Sequence, residues 1–561
     1  MAVSRKKAEL QQQRRRELSE RAMEFYAQRN VTSTVEKLLN EMFVASPRDV
    51  YGYMSDYLGD LAVAPVISRG ECTESVDERG SPALNVSIHC TIHGIDKFVT
   101  SVSVPVNPSP PPPPSPPLPS SPSNKPGAKK KTAEPVKPVE GEGSETNNKE
   151  KDDVIFAFES FNTYIAPVLV SRPPNQQSDI DSTISSLRDK EGRELHQSAL
   201  LATSLTVAKS AAILSGLPLY NHLTPALSSS SSSSSVSSVS LPTPLTSLLA
   251  GGAGKLRVRE FCILPLPGRT LSEQILALCS VYRSVGTLLS AKTGVGGVAP
   301  VGPRRAYCPP LEKMEAGLEL VREAGTECGL ILGQDLSVVV DIGADRLFDQ
   351  EKHKYELITG QWKSTDDLIS MYTELLTSQP GLMGYIDPLH HEDVEGWRKL
   401  QEALGSKCLV VADKALASGL LPVPPSDHQG PSPEVEKQES MSGVGEGTPE
   451  VTEGLELLSC ASFTLETTLS ATFSRYRALS GIASYTMLNV PHTLTANPLL
   501  VDVAVAMQCS LLRLGAPCGV TSTCLLSRML QIKEELSSKG TYEPPKALVF
   551  SSTSLSKVDQ H

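Results

Sequence analysis

The apolar positions near the start of the chain repeat with the spacing of an amphipathic helix. Between Val35 and Met42 they fall at i, i+3, i+4 and i+7, which places them on one helical face. A second helix is predicted in SPRDVYGYMSDYLGDL, with Ser46 as its N-cap and Pro47 at its first position. Two such short helices expose more apolar surface than they can bury against each other, so we expect them to pair with a second copy or another helix. A helical extension lying on the main domain is the alternative.

From residue 154 onward the pattern changes to an alternation of helices and strands. The segment HQSALLATSLTVAKSAAILSGLPLYNHL predicts a helix with Leu201, Leu205, Ala208 and Ala212 on one face. Short apolar runs follow it, each succeeded by a helical pattern: EFCILPLP, LSVVVDIG, LMGYIDP, CLVVADK and LELLSC. Runs that are apolar throughout are typical of parallel strands covered on both faces. We therefore predict an α/β fold with a closed (β/α) barrel, and an open doubly wound sheet is the alternative.

Three segments contain too few apolar residues to offset the entropy of ordering them. They are a proline-rich and then charged stretch over 106–153, a serine run over 228–235, and a polar stretch over 419–453. We interpret all three as linkers or disordered insertions.

Composition narrows the classes of partner. Lysine and arginine number 52 against 63 acidic residues, a net charge of −11, which argues against nucleic acid or an anionic membrane as the main partner. The 11 cysteines form no CxxC pair and no cluster with histidines, so they indicate neither a disulfide framework nor a zinc site. The basic, polar start MAVSRKKAELQQQRRREL is unlike a secretory signal, and we expect a cytoplasmic protein.

Three of the apolar runs end in aspartate, at Asp341, Asp387 and Asp413. The carboxyl ends of barrel strands all point to the same mouth, where converging carboxylates are suitable ligands for Mg²⁺. An aspartate after a strand is also an ordinary helix N-cap, so spacing alone leaves both interpretations open.

Collinear motifs over roughly four-fifths of the chain resemble enolase, the magnesium-dependent enzyme that dehydrates 2-phosphoglycerate to phosphoenolpyruvate. ERGSPALNVSI is similar to the family's SRGNPTVEV, SGLPLYNHL to GVPLYRHI, GVGGVAP to GDEGGFAP, and LLRLGAPCGVTSTCLL to the closing QIKTGAPCRSERLA. The resemblance implies an enolase-type (β/α)8 barrel over 241–561, with an N-terminal α+β capping domain over 62–105 and 154–240.

The N-terminal region, 1–61, is expected to be a separate helical hairpin. Within it, residues 22–61 resemble the Dpy-30/RIIα dimerisation module. In that family two hairpins form a four-helix bundle whose groove receives an amphipathic helix from an anchoring protein. A divergent sperm-type branch of the enolases has the same organisation, which implies a setting in the sperm flagellum.

The resemblance also implies a metal site, held in the family by Asp, Glu and Asp at three strand ends. Asp341 matches the first ligand and Asp413 the third, but Ile386 stands where the glutamate of IEDP belongs. Asp387 matches the neighbouring aspartate, whose side chain should point to the other face of the strand. It would replace the lost ligand only if the strand slips or bulges. We therefore expect a weakened Mg²⁺ site.

The family's acid–base residues are also replaced. Ser459 occupies the position of the catalytic lysine of LLLKVNQ, and Val295 that of the glutamate of DEGG, while Glu260 is retained as a catalytic and substrate-binding residue. Arg513 takes the place of the lysine of IKTGAP and keeps a positive charge for the substrate carboxylate. The family's histidine loop aligns poorly with 486–495, where His492 lies nearby.

Two functions follow from this pattern. The first is glycolytic dehydration of 2-phosphoglycerate with impaired activity, since each lost acid–base role typically costs ~10²–10⁴-fold. The alternative is a catalytically degenerate structural subunit that forms homodimers or mixed dimers with active enolase subunits and docks on an anchoring helix.

Overall fold

The computed structural model describes residues 2–106, 142–227, 238–293, 300–302, 304–417, 458–491 and 497–550. The serine run and the insertion predicted over 419–453 lie outside these residues. Contacts divide the chain into two compact units, Met1–Pro65 with Thr91–Ile95 and Val66–Cys90 with Asp96–His561.

The first unit consists of three helices: α1 (Ala2–Gln28), α2 (Val31–Ala45) and α3 (Val50–Asp60). The predicted start of α3 is wrong, because its N-cap is Asp49, whose side chain accepts a hydrogen bond from Gly52 N at 2.9 Å. Ser46 instead ends α2 in a left-handed conformation (φ 45°), with its N–H donating to Met42 O. Charged residues are spread along the sequence of the long helix α1, so its sequence shows no apolar periodicity that would predict it.

The second unit begins with a sheet of three strands in chain order, β1 (Val66–Val76), β2 (Pro82–Ile92) and β3 (Ile95–Pro105). Helices follow: α4 (Glu142–Glu159), a π-helical turn (Ser160–Ile165), α5 (Ala166–Leu169), α6 (Gln177–Ser186), α7 (Gln197–Leu214) and α8 (Leu219–Leu227). The segment predicted as a linker over 106–153 is thus helical from Glu142 onward. Extending an existing helix costs less than nucleating one, so the charged residues continue the helix that begins the domain.

Helix α7 is the core of this domain. Among the helices that the structure describes, it alone is long and apolar enough to cross a membrane, but 72% of it is buried in the protein. The hydroxyls of Thr203, Thr206 and Ser210 donate to carbonyls four residues back at 2.6–2.7 Å, so its polar groups are satisfied within the helix. It is buried nearly all round, and not on the one face that we predicted.

The remainder forms the barrel and its helices. The elements in the first half are β4 (Val239–Ser240), β5 (Thr243–Ala250), β6 (Glu260–Pro265), α9 (Leu271–Thr293), α10 (Met314–Glu327), β7 (Leu336–Asp341), a 3-10 turn (Ala344–Leu347), β8 (Phe348–Asp349), β9 (Lys354–Ile358), β10 (Gln361–Lys363) and α11 (Thr365–Ser378). The second half contains β11 (Leu382–Ile386), α12 (Val394–Leu404), β12 (Leu409–Ala412), α13 (Lys414–Ala417), β13 (Leu458–Phe463), α14 (Leu469–Ser480), β14 (Ala483–Asn489), α15 (Leu499–Ala506), β15 (Leu511–Leu514), α16 (Val520–Ser538) and β16 (Tyr542–Glu543).

Eight of these strands close the barrel in the order β5-β6-β7-β11-β12-β13-β14-β15. The predicted closed barrel is confirmed, but β6 runs antiparallel to both β5 and β7, so the expectation of parallel strands throughout is wrong. The reason is connectivity, because only a short loop joins β5 to β6 whereas α9 and α10 lie between β6 and β7.

The barrel interior is filled by apolar side chains from all eight strands: Leu245, Cys262, Leu264, Val339, Ile386, Leu409, Val411, Cys460, Met487 and Leu511. The C-terminal tail packs beneath this cluster with Leu548 and Phe550. Tyr485 holds the tail, because its hydroxyl accepts from Val549 N at 2.7 Å and lies 3.2 Å from Val549 O. A cavity of about 790 Å³ lies at this end, between the tail and Met383.

Candidate site at the barrel mouth

The strand ends bring three predicted positions side by side. Glu260 at the start of β6 is the register partner of Asp341 at the end of β7, which is in turn the partner of Ile386 at the end of β11. Register partners on neighbouring strands face the same side, and Ile386 belongs to the interior cluster, so all three point into the barrel. Arg513, from β15, reaches the same point.

Arg513 connects the two carboxylates. Its Nη2 donates to Asp341 Oδ2 in a short contact and to Glu260 Oε2 at 3.2 Å, and Ser247 Oγ donates to the same Glu260 oxygen at 2.7 Å. Burial opposes ionisation of Asp341, but attraction to Arg513 and Arg259 outweighs it, so the pKa of Asp341 is lowered. The guanidinium therefore serves as the counter-ion of both acids.

Two further arginines lie around this pair. Arg259 Nη1 is 3.2 Å from Asp341 Oδ2, and Arg304 Nε is 3.7 Å from Glu260 Oε1. Gly343 makes room for Arg259, since a Cβ at this residue, which has φ 58°, would lie 2.8 Å from the guanidinium. Sequence reasoning missed both arginines, although VREF and PRRAY place them beside motifs that were otherwise recognised.

Asp387 is buried and serves as a cap, and its Oδ2 lies 3.9 Å from Arg259 Nη1. Its Oδ1 accepts from Asp413 N at 2.9 Å and Lys414 N at 3.1 Å, and its backbone is left-handed (φ 45°). Burial, followed by repulsion from Asp413 and Asp341, raises its pKa to about 7. Strand β11 has an irregularity between Leu382 and Gly384, and register is regained before Ile386, the last residue of the strand.

Of the remaining predicted residues, Asp413 lies beside Asp387, whereas Ser459 does not join the group. Asp413 Oδ2 accepts from Asn489 Nδ2 at 3.2 Å. Ser459 lies near the start of β13, and its hydroxyl donates to Cys408 O at 3.3 Å. Because Cys460 points into the barrel, strand alternation turns Ser459 away from it, so the structure does not place Ser459 at the mouth. Val295 and His492 lie outside the described residues.

These residues do not fit a Mg²⁺ site of the kind that the sequence implied. Asp341 Oδ1 is buried without a hydrogen-bond partner, but Oδ2 of the same carboxylate already lies against Arg513 and Arg259. The neighbouring position is the apolar Ile386, whereas Mg²⁺ requires oxygen ligands in octahedral array. Arg304, Arg259 and Arg513 together already neutralise the charges of Glu260 and Asp341. A divalent ion would therefore gain little electrostatic attraction at this point.

A closed eight-stranded α/β barrel with charged residues gathered at its strand ends defines this protein as a TIM-barrel protein. Residues 238–419 match the C-terminal TIM barrel domain of enolase. The chain is 26% identical over 594 residues to enolase 4 of Xenopus laevis, covering 94% of this chain and 93% of that protein. It is 24% identical over 615 residues to enolase 4 of Homo sapiens, covering 93% and 89%. Enolase of Thermococcus kodakarensis is 26% identical over 392 residues, covering 69% of this chain and 82% of that protein.

The barrel is therefore similar to the enolase barrel domain, and the chain as a whole is similar to the enolase 4 proteins. Enolases generally use Mg²⁺, so the arginine-filled mouth of this chain differs from what that similarity implies.

Proposed function

We propose that this protein is a catalytically degenerate enolase-family subunit, one that does not by itself dehydrate 2-phosphoglycerate. The observation that carries the proposal is the ion pair between Arg513 and Asp341, which places a guanidinium where the family's metal would bind a carboxylate. Abstraction of a proton next to a carboxylate needs strong neutralisation of the intermediate by a metal and a base with a suitable pKa. Ile386 and the outward-facing Ser459 supply neither.

A weak phosphopyruvate hydratase, a lyase of glycolysis, is the second candidate. Arg513 Nε and Nη1 and Asp341 Oδ1 are buried without hydrogen-bond partners, and a bound substrate carboxylate would give the arginine a partner. We expect Arg513 to bind an anion but not to abstract the proton from 2-phosphoglycerate, because a guanidinium stays protonated and cannot act as a base.

We assign the N-terminal helices a docking role. Phe43 and Val44 of α2 expose 82% and 84% of their surface, and Tyr51 of α3 exposes 84%. Large apolar side chains grouped on a short helical hairpin favour pairing with a second hairpin or with an amphipathic helix. Together with the family resemblance, this supports a homodimer or a mixed dimer with active enolase subunits, held by an anchoring protein in the cytoplasm of the sperm flagellum.

The decisive experiment uses purified full-length protein. We expect no formation of phosphoenolpyruvate from 2-phosphoglycerate above the uncatalysed rate at any Mg²⁺ concentration, and no heat of Mg²⁺ binding at the barrel mouth in isothermal titration. Co-expression with an active enolase subunit should yield a mixed complex with the activity of the active partner. Magnesium-dependent turnover by the homodimer that is abolished by Asp341→Ala would refute the proposal.

A further inference from the structure

The loop after β11 contains two adjacent histidines that the barrel holds in place. The His390 ring stacks on Phe348 with centroids 4.6 Å apart. The backbone N–H of His390 donates to Tyr355 Oη at 3.0 Å, and its backbone carbonyl accepts from Trp397 Nε1 at 3.0 Å. His391 follows with its ring centroid 4.4 Å from that of His390. Two imidazoles are thus fixed side by side at the mouth, in the segment PLHHED that the enolase resemblance left without a role.

A carboxylate from the neighbouring strand end faces these histidines. Asp345, in the 3-10 turn after β7, accepts from His391 N at 2.8 Å and lies 2.9 Å from His391 Nδ1, both through Oδ1. Only 9% of its side chain is exposed, and Oδ2 is buried with no hydrogen-bond partner. Lys414 Nζ lies 3.6 Å from this oxygen. A buried oxygen of this kind is able to take a further ligand.

We propose that Asp345, His390 and His391 form a binding site for a divalent transition-metal ion of the zinc class, distinct from the strand-end acids. Each residue offers a ligand atom, and these atoms lie within 4.8 Å of one another. A tetrahedral ion with bonds of 2.0–2.2 Å holds its ligands about 3.4 Å apart, so the ligand atoms would have to approach one another by up to about 1.4 Å. Two imidazoles and one carboxylate complete three positions and leave the fourth for water or an exogenous ligand.

The ligand set selects the ion. Imidazole nitrogen suits Zn²⁺, Co²⁺ or Ni²⁺, whereas Mg²⁺ prefers an all-oxygen shell. The site is therefore expected to ignore the metal that enolases use.

Binding has two identifiable costs. It requires both imidazoles to be neutral. It also breaks the long hydrogen bond, 3.3 Å, from Glu392 N to His390 Nδ1, either because Nδ1 binds the ion or because Nδ1 carries the proton when Nε2 binds it. It also displaces Lys414, whose side chain is 56% exposed and can move into solvent. Neither change disturbs the packing of His390 against Phe348, so the barrel need not rearrange to admit the ion.

The test is zinc titration of chelator-treated, full-length protein by calorimetry, with Co²⁺ absorption as a reporter of nitrogen ligation. We expect one equivalent per chain, and at least tenfold weaker binding in Asp345→Asn and in His391→Ala, with unchanged circular dichroism. Lys414→Ala should tighten binding, because it leaves the carboxylate without a competing cation. His89→Ala is the matched control, since His89, in strand β2, also lies near a carboxylate, with its Nε2 3.7 Å from Glu71 Oε2, but outside the proposed site.

Absence of a stoichiometric site overturns the inference, as does equal affinity in the wild type and either ligand variant. Mg²⁺ titration provides a second readout, because Mg²⁺ should not displace Co²⁺ from the site in any of these proteins. The outcome is independent of the proposed function, since a protein that made phosphoenolpyruvate would still bind zinc here or fail to do so.

Discussion

The guanidinium of Arg513 donates a hydrogen bond to the carboxylate of Asp341, and neither side chain exposes more than 1% of its surface. A buried pair of this kind is neutral overall but depends on both members, since either one left alone is a charge in a medium of low polarity. The same contact thus holds the barrel strands together and occupies a carboxylate oxygen that a Mg²⁺ ion between the strand ends would need.

Removal of the arginine should be severely destabilising. Arg513→Met leaves Asp341 and Glu260 buried around an apolar side chain, and we expect a loss of about 3–5 kcal/mol in the free energy of unfolding by urea denaturation. The double variant Arg513→Met/Asp341→Asn, which removes a charge of each sign, should recover part of that loss. A single-variant loss below about 1 kcal/mol would mean that water or another cation already compensates the acids.

Restoring the family's ligand should restore a response to magnesium. In Ile386→Glu/Arg513→Lys a third oxygen ligand faces Asp341, and the rigid guanidinium is replaced by a shorter, flexible amine. Saturation to 100-fold above Kd would add about 2.7 kcal/mol, which is visible as a rise in Tm with Mg²⁺. Arg513→Lys alone is the control, and we expect neither it nor the wild type to respond. A wild-type protein with the same Mg²⁺-dependent rise would contradict our account of the site.

Asp387 should make the protein less stable as the pH rises. Its pKa is raised from 3.8 to about 7 in the fold, so the folded state binds the proton more tightly and stability falls between about pH 4 and pH 7. Asp387→Asn keeps the oxygen that accepts from Asp413 N and Lys414 N, and asparagine tolerates the left-handed backbone. We expect it to match the wild type near pH 4 and to exceed it at pH 8, by at most on the order of 4 kcal/mol.

The measurement for Asp387→Asn is the urea midpoint at a series of pH values. Glu392→Gln, which neutralises an exposed carboxylate of the same loop, should follow the wild-type curve. Parallel curves for Asp387→Asn and the wild type would show that Asp387 is ionised across the range.

The apolar surface of the hairpin should control association. Leu39 exposes 46% of its surface one helical turn before Phe43, so Leu39→Glu/Phe43→Glu places two charges on the surface proposed for docking. We expect a lower sedimentation coefficient or loss of binding to an amphipathic helical peptide, with helicity retained. Lys37→Glu, on the same helix but in an exposed ion pair with Glu41 at 3.6 Å, is the control. Unchanged association in the double variant would show that the hairpin does not mediate the assembly.

Much of the barrel was predictable because its strands are buried on both faces and so read as apolar runs. SVVVD, GYI and LVVA are strands β7, β11 and β12 as expected. Strands β5 and β14 were not evident from apolar pattern, since TPLTSLLA and ASYTMLN carry hydroxyl and amide groups among their apolar residues. The direction of β6 was not predictable from the sequence, because an antiparallel strand that is buried on both faces has the same composition as a parallel one.

At the mouth, residue identities were informative but side-chain connections were not. The replacement of a ligand by Ile386 is visible in the sequence, whereas the hydrogen bonds of Arg513 join β15 to β6 and β7, strands that lie far apart along the chain. Ser459 was misplaced for a related reason, because a shift of one residue along a strand reverses the side on which a side chain lies. The approach of Asp345 to His391 likewise joins two loops that are 46 residues apart.

The tail beneath the barrel closes the opening opposite the mouth. A frameshift or premature stop after residue 540 would keep all eight barrel strands and every charged group of the mouth. It would nevertheless remove Leu548 and Phe550 from the opposite opening and expose Met383 and its apolar neighbours to solvent. Such a truncated protein is expected to aggregate. Because the C-terminal tail packs against the barrel, an affinity tag is better placed at the N-terminus.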